Sequence, residues 1–496
     1  MTPRSPRPAS ILFPEGPHAM RPRITDALEN PDLRRFVPAT TLLKDKTRAD
    51  ALGKTFGDPP SSLALPGAPR PERVDMLRRI ASETRRETLA HLDAWLATYT
   101  ANATRQGIIV HRAKDAAEAR AIVLDIAKTA SAKTAVKAKS MVTEECQLLD
   151  ALLDAGIDTL ETDLGELVLQ LDDDAPSHIV SPMIHKDREA AARALARLET
   201  EPSFSLPSDP ETLVAHARQH LRTRFAHADL GITGANFLVA ETGEIVTCTN
   251  EGNGRLTTLA PRVHIALTGI EKVVADLDHL SLLLELLARS STGQPLTVYT
   301  SFTAGPGPGR EVHLILLDNG RSSVLKDSRY SDALGCIRCG ACLNACPVYR
   351  TIGGHAYGSV WPGPIGQVLT PLLRGPAESP DLPWASTLCG ACRDACPVDI
   401  DLPGMLVSLR ADALTQKRLP RRLRLTVKLV RFAMKGRFRW RLAETLGNAL
   451  IARDKGPAKA FAHGERRLPK TSDRPFKHTW KQLFQARKKR ARDLAP

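Results

Sequence analysis

Cysteines spaced as Cys336-x2-Cys339-x2-Cys342-x3-Cys346-Pro347, followed by Cys389-x2-Cys392-x3-Cys396-Pro397, follow the pattern of bacterial-type 4Fe-4S ligation. Three thiolates at intervals of two residues wrap a loop around one face of a cubane. The fourth, just before proline, points away towards a second cluster. The two runs therefore interlock. Cys336, Cys339, Cys342 and Cys396 are expected to hold cluster one, and Cys346, Cys389 and Cys392 cluster two. Cluster two is then one ligand short. The missing position is Ser386, whose oxygen is a harder donor than thiolate and a poor default for iron. The other two cysteines, Cys146 and Cys248, lie far away in sequence and read as small core thiols. One iron of cluster two is thus expected to be exchangeable, bound by water, a substrate group or a partner residue. Paired C-x2-C elements also build tetrahedral zinc centres, and a disulfide framework is a weaker alternative. The x2, x2, x3 spacing with its proline is that of two 4Fe-4S clusters rather than of zinc ribbons.

Loops of this kind need helices to hold them and a larger body to bury them. A chain of 496 residues exceeds a single hydrophobic core, so two or three domains are expected. Hydrophobic content of 42% is ordinary and aromatic content of 4% is low, so aliphatic packing must dominate. Near the N-terminus the longest apolar run is Ile11-Leu12-Phe13, far short of a signal-peptide core, and nowhere do eighteen apolar residues follow one another. With thiolates that must stay reduced, this places the protein in the cytoplasm. The net charge of +14 is uneven: residues 417–496 hold 25 Lys plus Arg and 5 Asp plus Glu, so everything before them is mildly acidic.

Along the chain, residues 1–70 read as an irregular, Pro- and Gly-punctuated extension. A leading helix or helical hairpin follows from Pro71 to about Thr104 and opens an α/β domain that runs to residue 325. Strands are expected at 107–110, 135–139, 157–161, 178–180, 236–240, 245–249, 264–268 and 296–299, with helices at 116–129 and 143–155. Alternation of this kind argues for a Rossmann-like parallel sheet with crossover helices. Residues 326–415 read as a helical, ferredoxin-like domain around the cysteines, its linker between the two runs rich in Gly and Pro. Residues 416–496 form a basic helical or irregular extension. Lys417 to Arg441 holds eleven basic residues and no acidic one. As a helix it places Leu423, Val427, Val430 and Met434 on one face and Arg424, Lys428, Arg431 and Lys435 on another. Such a helix suits an anionic membrane surface, an acidic partner, or docking onto the protein's own body. Nucleic-acid binding is not expected, because no recognition motif accompanies the few aromatics.

A second constellation is Asn250-Glu251-Gly252-Asn253-Gly254-Arg255, at the end of an expected strand. Glycines let backbone amides approach an anion and arginine clamps a carboxylate or phosphate, so a lactate-like or phosphorylated ligand fits. An ordinary tight loop with left-handed glycines is the alternative. Asp229, ahead of Gly231, Gly234 and Asn236, is a candidate for the same crevice, or for a turn. His178 and His185 flank Pro182 and read as structural.

The chain resembles the lactate utilization protein B family over about residues 75–415. The likeness rests on Lys139-Ser140-Met141-Val142-Thr143-Glu144-Glu145, Glu161-Thr162-Asp163-Leu164-Gly165-Glu166, Pro176-Ser177-His178-Ile179-Val180, and Asp229-Leu230-Gly231-Ile232-Thr233-Gly234-Ala235-Asn236-Phe237. It continues in Thr249-Asn250-Glu251-Gly252-Asn253-Gly254-Arg255 and, most strongly, in Cys336 through Arg350 and Gly353-Gly354-His355-Ala356-Tyr357-Gly358. The resemblance implies a LUD domain before a two-cluster module. It implies a cytoplasmic iron-sulfur protein that carries electrons in oxidation of L-lactate to pyruvate, working with LutA-like and LutC-like companion subunits. It also implies that the three-cysteine form of the second run is a family trait. The competing reading is enzymatic: the LUD domain binds a carboxylate and an open iron of cluster two serves as Lewis acid or electron acceptor.

Overall fold

The computed structural model describes residues 71–201, 203–416, 421–452 and 480–485. The expected extension at 1–70 lies outside them. Helices Pro71–Ala90 and Leu92–Arg105 lead the described chain and are separated at His91. Ten strands follow: β1 (Ile109–Ala113), β2 (Thr134–Lys137), β3 (Asp158–Glu161), β4 (Leu230–Thr233), β5 (Phe237–Val239), β6 (Ile245–Thr249), β7 (Val263–Gly269), β8 (Val273–Val274), β9 (Tyr299–Thr303) and β10 (Glu311–Leu317).

Six of them form a wholly parallel sheet in the order β1-β10-β7-β4-β2-β3. Its central strands β4 and β7 are buried at every position, as a sheet covered on both faces requires. Val263, Ile265, Leu267, Leu230 and Ile232 pack against helix Ala116–Thr129 through Val123 and Ile126. On the other face Ala266, Leu314 and Leu316 meet Leu96 and Tyr99 of the leading helix pair. The crossover helices start where aspartate carboxylates accept their free backbone N–H groups: Asp115, Asp163, Asp187, Asp209 and Asp276 each cap one, a contact worth about 1 kcal/mol apiece.

Several expectations need correction. A second, mixed sheet of order β8-β5-β6-β9 stands beside the parallel one, and β4, β8 and β10 are not among the strands expected from sequence. Residues 178–180 are no strand: the N–H groups of Val180 and Ser181 turn back to His178 Nδ1 rather than to a neighbouring strand. The strand expected at 296–299 begins at Tyr299. The helix expected at 143–155 is broken into Met141–Glu145 and Leu148–Asp154 by Gln147, whose φ is 52°.

From Ser331 the chain is short helices and turns around the cysteines, closed by helices Gly363–Leu373 and Leu402–Thr415. The described residues from 71 to 416 form one compact unit. The loop 174–185 joins its two parts: Tyr349 donates its hydroxyl to Ser177 O at 2.6 Å, and His355 Nε2 lies 2.8 Å from Ala175 O. At Gly354 the backbones come so close that a Cβ would lie 1.8 Å from Ser177 O. The described residues after 416 belong to a separate unit, with helices Arg421–Met434 and Arg437–Ala452. Leu425, Leu429, Phe432, Met434 and Phe438 are exposed there among the basic residues. No helix among the described residues is long and apolar enough to cross a membrane.

Candidate metal centre and adjoining cavity

Each cysteine run folds as the same device, fifty residues apart in sequence. Arg338 and Gly340 have φ of 63° and 79°, and Leu388 and Gly390 have φ of 54° and 86°. These left-handed pairs, natural only at the glycines, turn the backbone tightly on both sides of Cys339 and Cys389. Helices Ala341–Ala345 and Ala391–Asp394 then carry Cys342 and Cys392. At Gly340 a Cβ would lie 3.2 Å from the His178 ring, so the loop 174–185 seats directly on the first turn. His178 Nε2 also lies 3.2 Å from Asn344 Oδ1, and burial pushes the imidazole down to about 3.

The thiols sort into two groups. Cys336, Cys339, Cys342 and Cys396 surround one small apolar cavity, walled by Ile179, Ile365 and Ile400. Burial raises the Cys339 and Cys342 thiols, and each is raised further by the other thiols of this group. Cys346, Cys389 and Cys392 influence one another instead: burial and then Cys346 push Cys392 up to about 12. Backbone N–H groups point at sulfur, from Arg338 to Cys336 at 3.4 Å, from Tyr349 to Cys346 at 3.5 Å and from Ile400 to Cys396 at 3.4 Å. Crowded thiols in an apolar cage cannot all ionise without a positive centre between them, and N–H donors favour the ionised sulfur. The donor set fits iron-sulfur clusters.

Ser386 occupies in the second run the place of Cys336 in the first. Its Oγ accepts the Leu388 N–H at 3.1 Å, as Cys336 Sγ accepts that of Arg338. Thr387, Leu388 and Cys389 are exposed, whereas Cys339, Cys342 and Cys396 are buried. Neither remaining thiol joins the second group. Cys146 is enclosed in the core under the parallel sheet, and burial pushes it up to about 12. Cys248 stands on β6, near Thr297 and Thr300.

A cavity of about 380 Å³ opens at the carboxyl edge of the parallel sheet, beyond the ends of β2, β3 and β4, with β6 of the second sheet along its side. Ligands bind in open α/β sheets at this edge. Of the candidate ligand-binding run, Asn250, Glu251, Asn253 and Gly254 line it, and Gly252 and Arg255 do not. Arg255 is exposed and lies 3.8 Å over the Tyr299 ring. Neither Gly252 nor Gly254 has a positive φ, so the loop is not built on left-handed glycines. Burial and nearby Asp163 push Glu251 up to about 7. Asp229 is not in this crevice. It precedes β4 at the opposite, amino edge, where its carboxylate accepts Lys133 N–H at 2.8 Å and Thr134 N–H at 2.9 Å.

Sequence reasoning missed Lys139, Lys272, Arg338 and Trp361 as cavity residues. Only Arg338 had a signal, its place inside the first cysteine run. Burial pushes the Lys272 ammonium down to about 7, with Arg338 adding to the effect. Arg338 stacks 4.5 Å over Trp361 and pairs with buried Glu271 at 3.2 Å. Arg321 pairs with the same carboxylate at 2.7 Å and with Glu145 at 2.9 Å, and Trp361 Nε1 donates to Glu145 at 3.2 Å. These groups tie the sheet to the first cysteine loop.

Comparison with known proteins agrees with this division. The LUD domain family matches residues 96–319, and the 4Fe-4S dicluster domain family matches residues 332–400. The chain is 44% identical over 359 residues to lactate utilization protein B of Shouchella clausii, covering 71% of this chain and 74% of that one. It is 43% identical over 342 residues to the protein of that name from Bacillus subtilis, covering 67% and 70%. It is 44% identical over 355 residues to the electron transport protein YkgF of Escherichia coli, covering 69% and 74%. With a dicluster domain spanning these cysteines and such relatives along most of its length, the chain belongs to the lactate utilization protein B family, iron-sulfur proteins carrying two 4Fe-4S clusters.

Proposed function

We propose that the chain is the electron-carrying subunit in oxidation of L-lactate to pyruvate, acting with companion lactate-utilization subunits. One observation carries this reading: seven thiols gathered as a group of four around an apolar cavity and a group of three in which Cys389 is exposed, within a dicluster domain. Cys336, Cys339, Cys342 and Cys396 hold the first cluster, and Cys346, Cys389 and Cys392 the second. When bound, the clusters supply one-electron storage and transfer. The polypeptide does the rest: Ile179, Ile365 and Ile400 exclude water around the first set, and the N–H groups of Tyr349 and Ile400 favour charged sulfur. In the second set only Cys389 is exposed, together with Thr387 and Leu388, and there a partner can approach. The test is anaerobic reduction. L-lactate with the companion subunits should bleach the visible absorption of this chain, and L-lactate alone should not. Failure of the complete mixture to reduce it contradicts the proposal.

The cavity favours one half of a second reading, that the chain itself binds a carboxylate, and speaks against its other half, that the ligand meets an open iron of the second cluster. The cavity lining includes Arg338 from the first cysteine loop and no residue of 386–392. Turnover of L-lactate by the isolated chain with an artificial acceptor would establish this reading.

A further inference from the structure

Two buried cations face the cavity with donors unused. Lys272 is 6% exposed, lines the cavity, and has no hydrogen-bond or ion-pair partner among the described residues. The Arg338 side chain is 10% exposed and gives Nη2 to Glu271, while its Nε and Nη1 find no partner. Lys139 stands on the same lining and donates Nζ to Val180 O at 2.8 Å. Glu271, the carboxylate at this end, is already shared with Arg321. A buried cation without an anion is costly, by several kcal/mol even after relaxation. Such an arrangement persists where a bound group supplies the missing charge. The remaining lining suits an organic molecule: Ser140, Asn236 and Thr247 offer hydrogen bonds, and Met141, Leu287 and Trp361 offer apolar surface. The volume, about 380 Å³, lies in the range of roughly 300–1,000 Å³ that holds organic ligands.

We propose that this cavity binds an organic oxyanion, a carboxylate or a phosphate ester, with its charged group between Lys272 and Arg338 and its body against Trp361 and Leu287. The site rests on the electron-carrying reading in one respect: Arg338 lies between Cys336 and Cys339, so the first cysteine loop must be folded around its cluster. The competing role for Lys272 is counter-charge to Glu271 and the thiolates alone, since Glu271 and then Cys336 are near enough to act on it. The two roles differ in what removal of the ammonium does to ligand affinity.

The experiment is calorimetric titration of the anaerobically purified full chain, its cluster resonances verified, with L-lactate, flavin mononucleotide and inorganic phosphate in separate arms. At least one organic probe should bind; L-lactate alone identifies a carboxylate site, and flavin mononucleotide alone a phosphate-ester site. Lys272→Met should weaken that binding at least tenfold while leaving both cluster resonances in place. It should also raise the melting temperature of the unliganded protein, because a desolvated amine without a hydrogen-bond partner is replaced by an apolar side chain. Thr247→Phe, which narrows the cavity without touching a cation, should weaken binding to a similar extent. No binding of either organic probe at about 10 mM, weaker than any functional Kd expected of such a site, overturns the proposal, and so does unchanged affinity in Lys272→Met. Either result obtained with intact cluster resonances leaves the electron-carrying reading standing. Absence of those resonances from the wild-type chain defeats that reading instead.

Discussion

At the scale of single residues, Ser386 separates the two cysteine runs. It keeps the local hydrogen bond that Cys336 makes, so the turn is ready for a sulfur that the sequence withholds. Ser386→Cys is therefore expected to fold normally and to complete the second set. Mössbauer spectra of the variant should lose the distinct iron site of the wild type, and the second cluster should resist iron loss in air several-fold longer. An unchanged spectrum would show that Ser386 is not at the open corner. His178 offers a different test. Held neutral in the fold, with its value down at about 3 from an ordinary 6.5, it takes up a proton only on unfolding as the pH drops. Its contribution is whole above pH 6.5 and is lost progressively as pH falls towards 3. At pH 5.5 the loss is about 1.4 kcal/mol. His178→Asn should be less stable by about 1 kcal/mol at pH 7, having lost the contact with Asn344, yet show a shallower decline to pH 5.5 in urea unfolding. The cysteine pattern was legible because ligation fixes spacing. Lys272 was not, since an isolated lysine carries no periodicity, and only folding brings it beside Arg338.

Among elements, the parallel sheet was readable where strands alternate with long amphipathic helices, and helix Ala116–Thr129 lies where the sequence predicts it. Reading failed where the chain departs from that rhythm. β8 is two residues long, and β4 four, with a glycine among them, so neither offers a period to count. Residues 178–180 have strand-like composition but serve as a seat for the cysteine turn. Nor does sequence reveal that the ends of β2 and β7 meet the first cysteine loop through Glu145, Glu271, Arg321, Arg338 and Trp361. Glu271 is the hub, 0% exposed and shared by two guanidinium groups. Burial disfavours its charge, yet Arg321 and Arg338 hold it down to about 2. Glu271→Gln leaves those cations buried without their anion, so it should cost about 3–5 kcal/mol in urea unfolding. Loss of the first cluster's resonance before the second's, as denaturant rises, would mark the defect at that loop. A cost under 1 kcal/mol would show that the circuit is not structural.

For the whole molecule, residues 71–416 hold the sheet, the cavity and all nine cysteines in one compact unit, while the basic helices after 417 form another. The charge asymmetry that marks this tail was plain in the sequence. Its target was not, because exposed leucines and arginines suit an anionic membrane and an acidic protein alike. Truncation after Gln416 is expected to leave both cluster resonances unchanged and, where the full chain cosediments with anionic lipid vesicles, to abolish that cosedimentation. Retained sedimentation would remove the tail from membrane contact. Electron transfer through this molecule depends on the division of seven thiols into four and three. Mössbauer spectroscopy of the ⁵⁷Fe-loaded full chain tests that division most directly. The predicted spectrum is that of two cubane clusters, with one iron set apart by a ligand other than thiolate. A spectrum of two fully thiolate-ligated cubanes, or a chain that takes up zinc in place of iron, would contradict it.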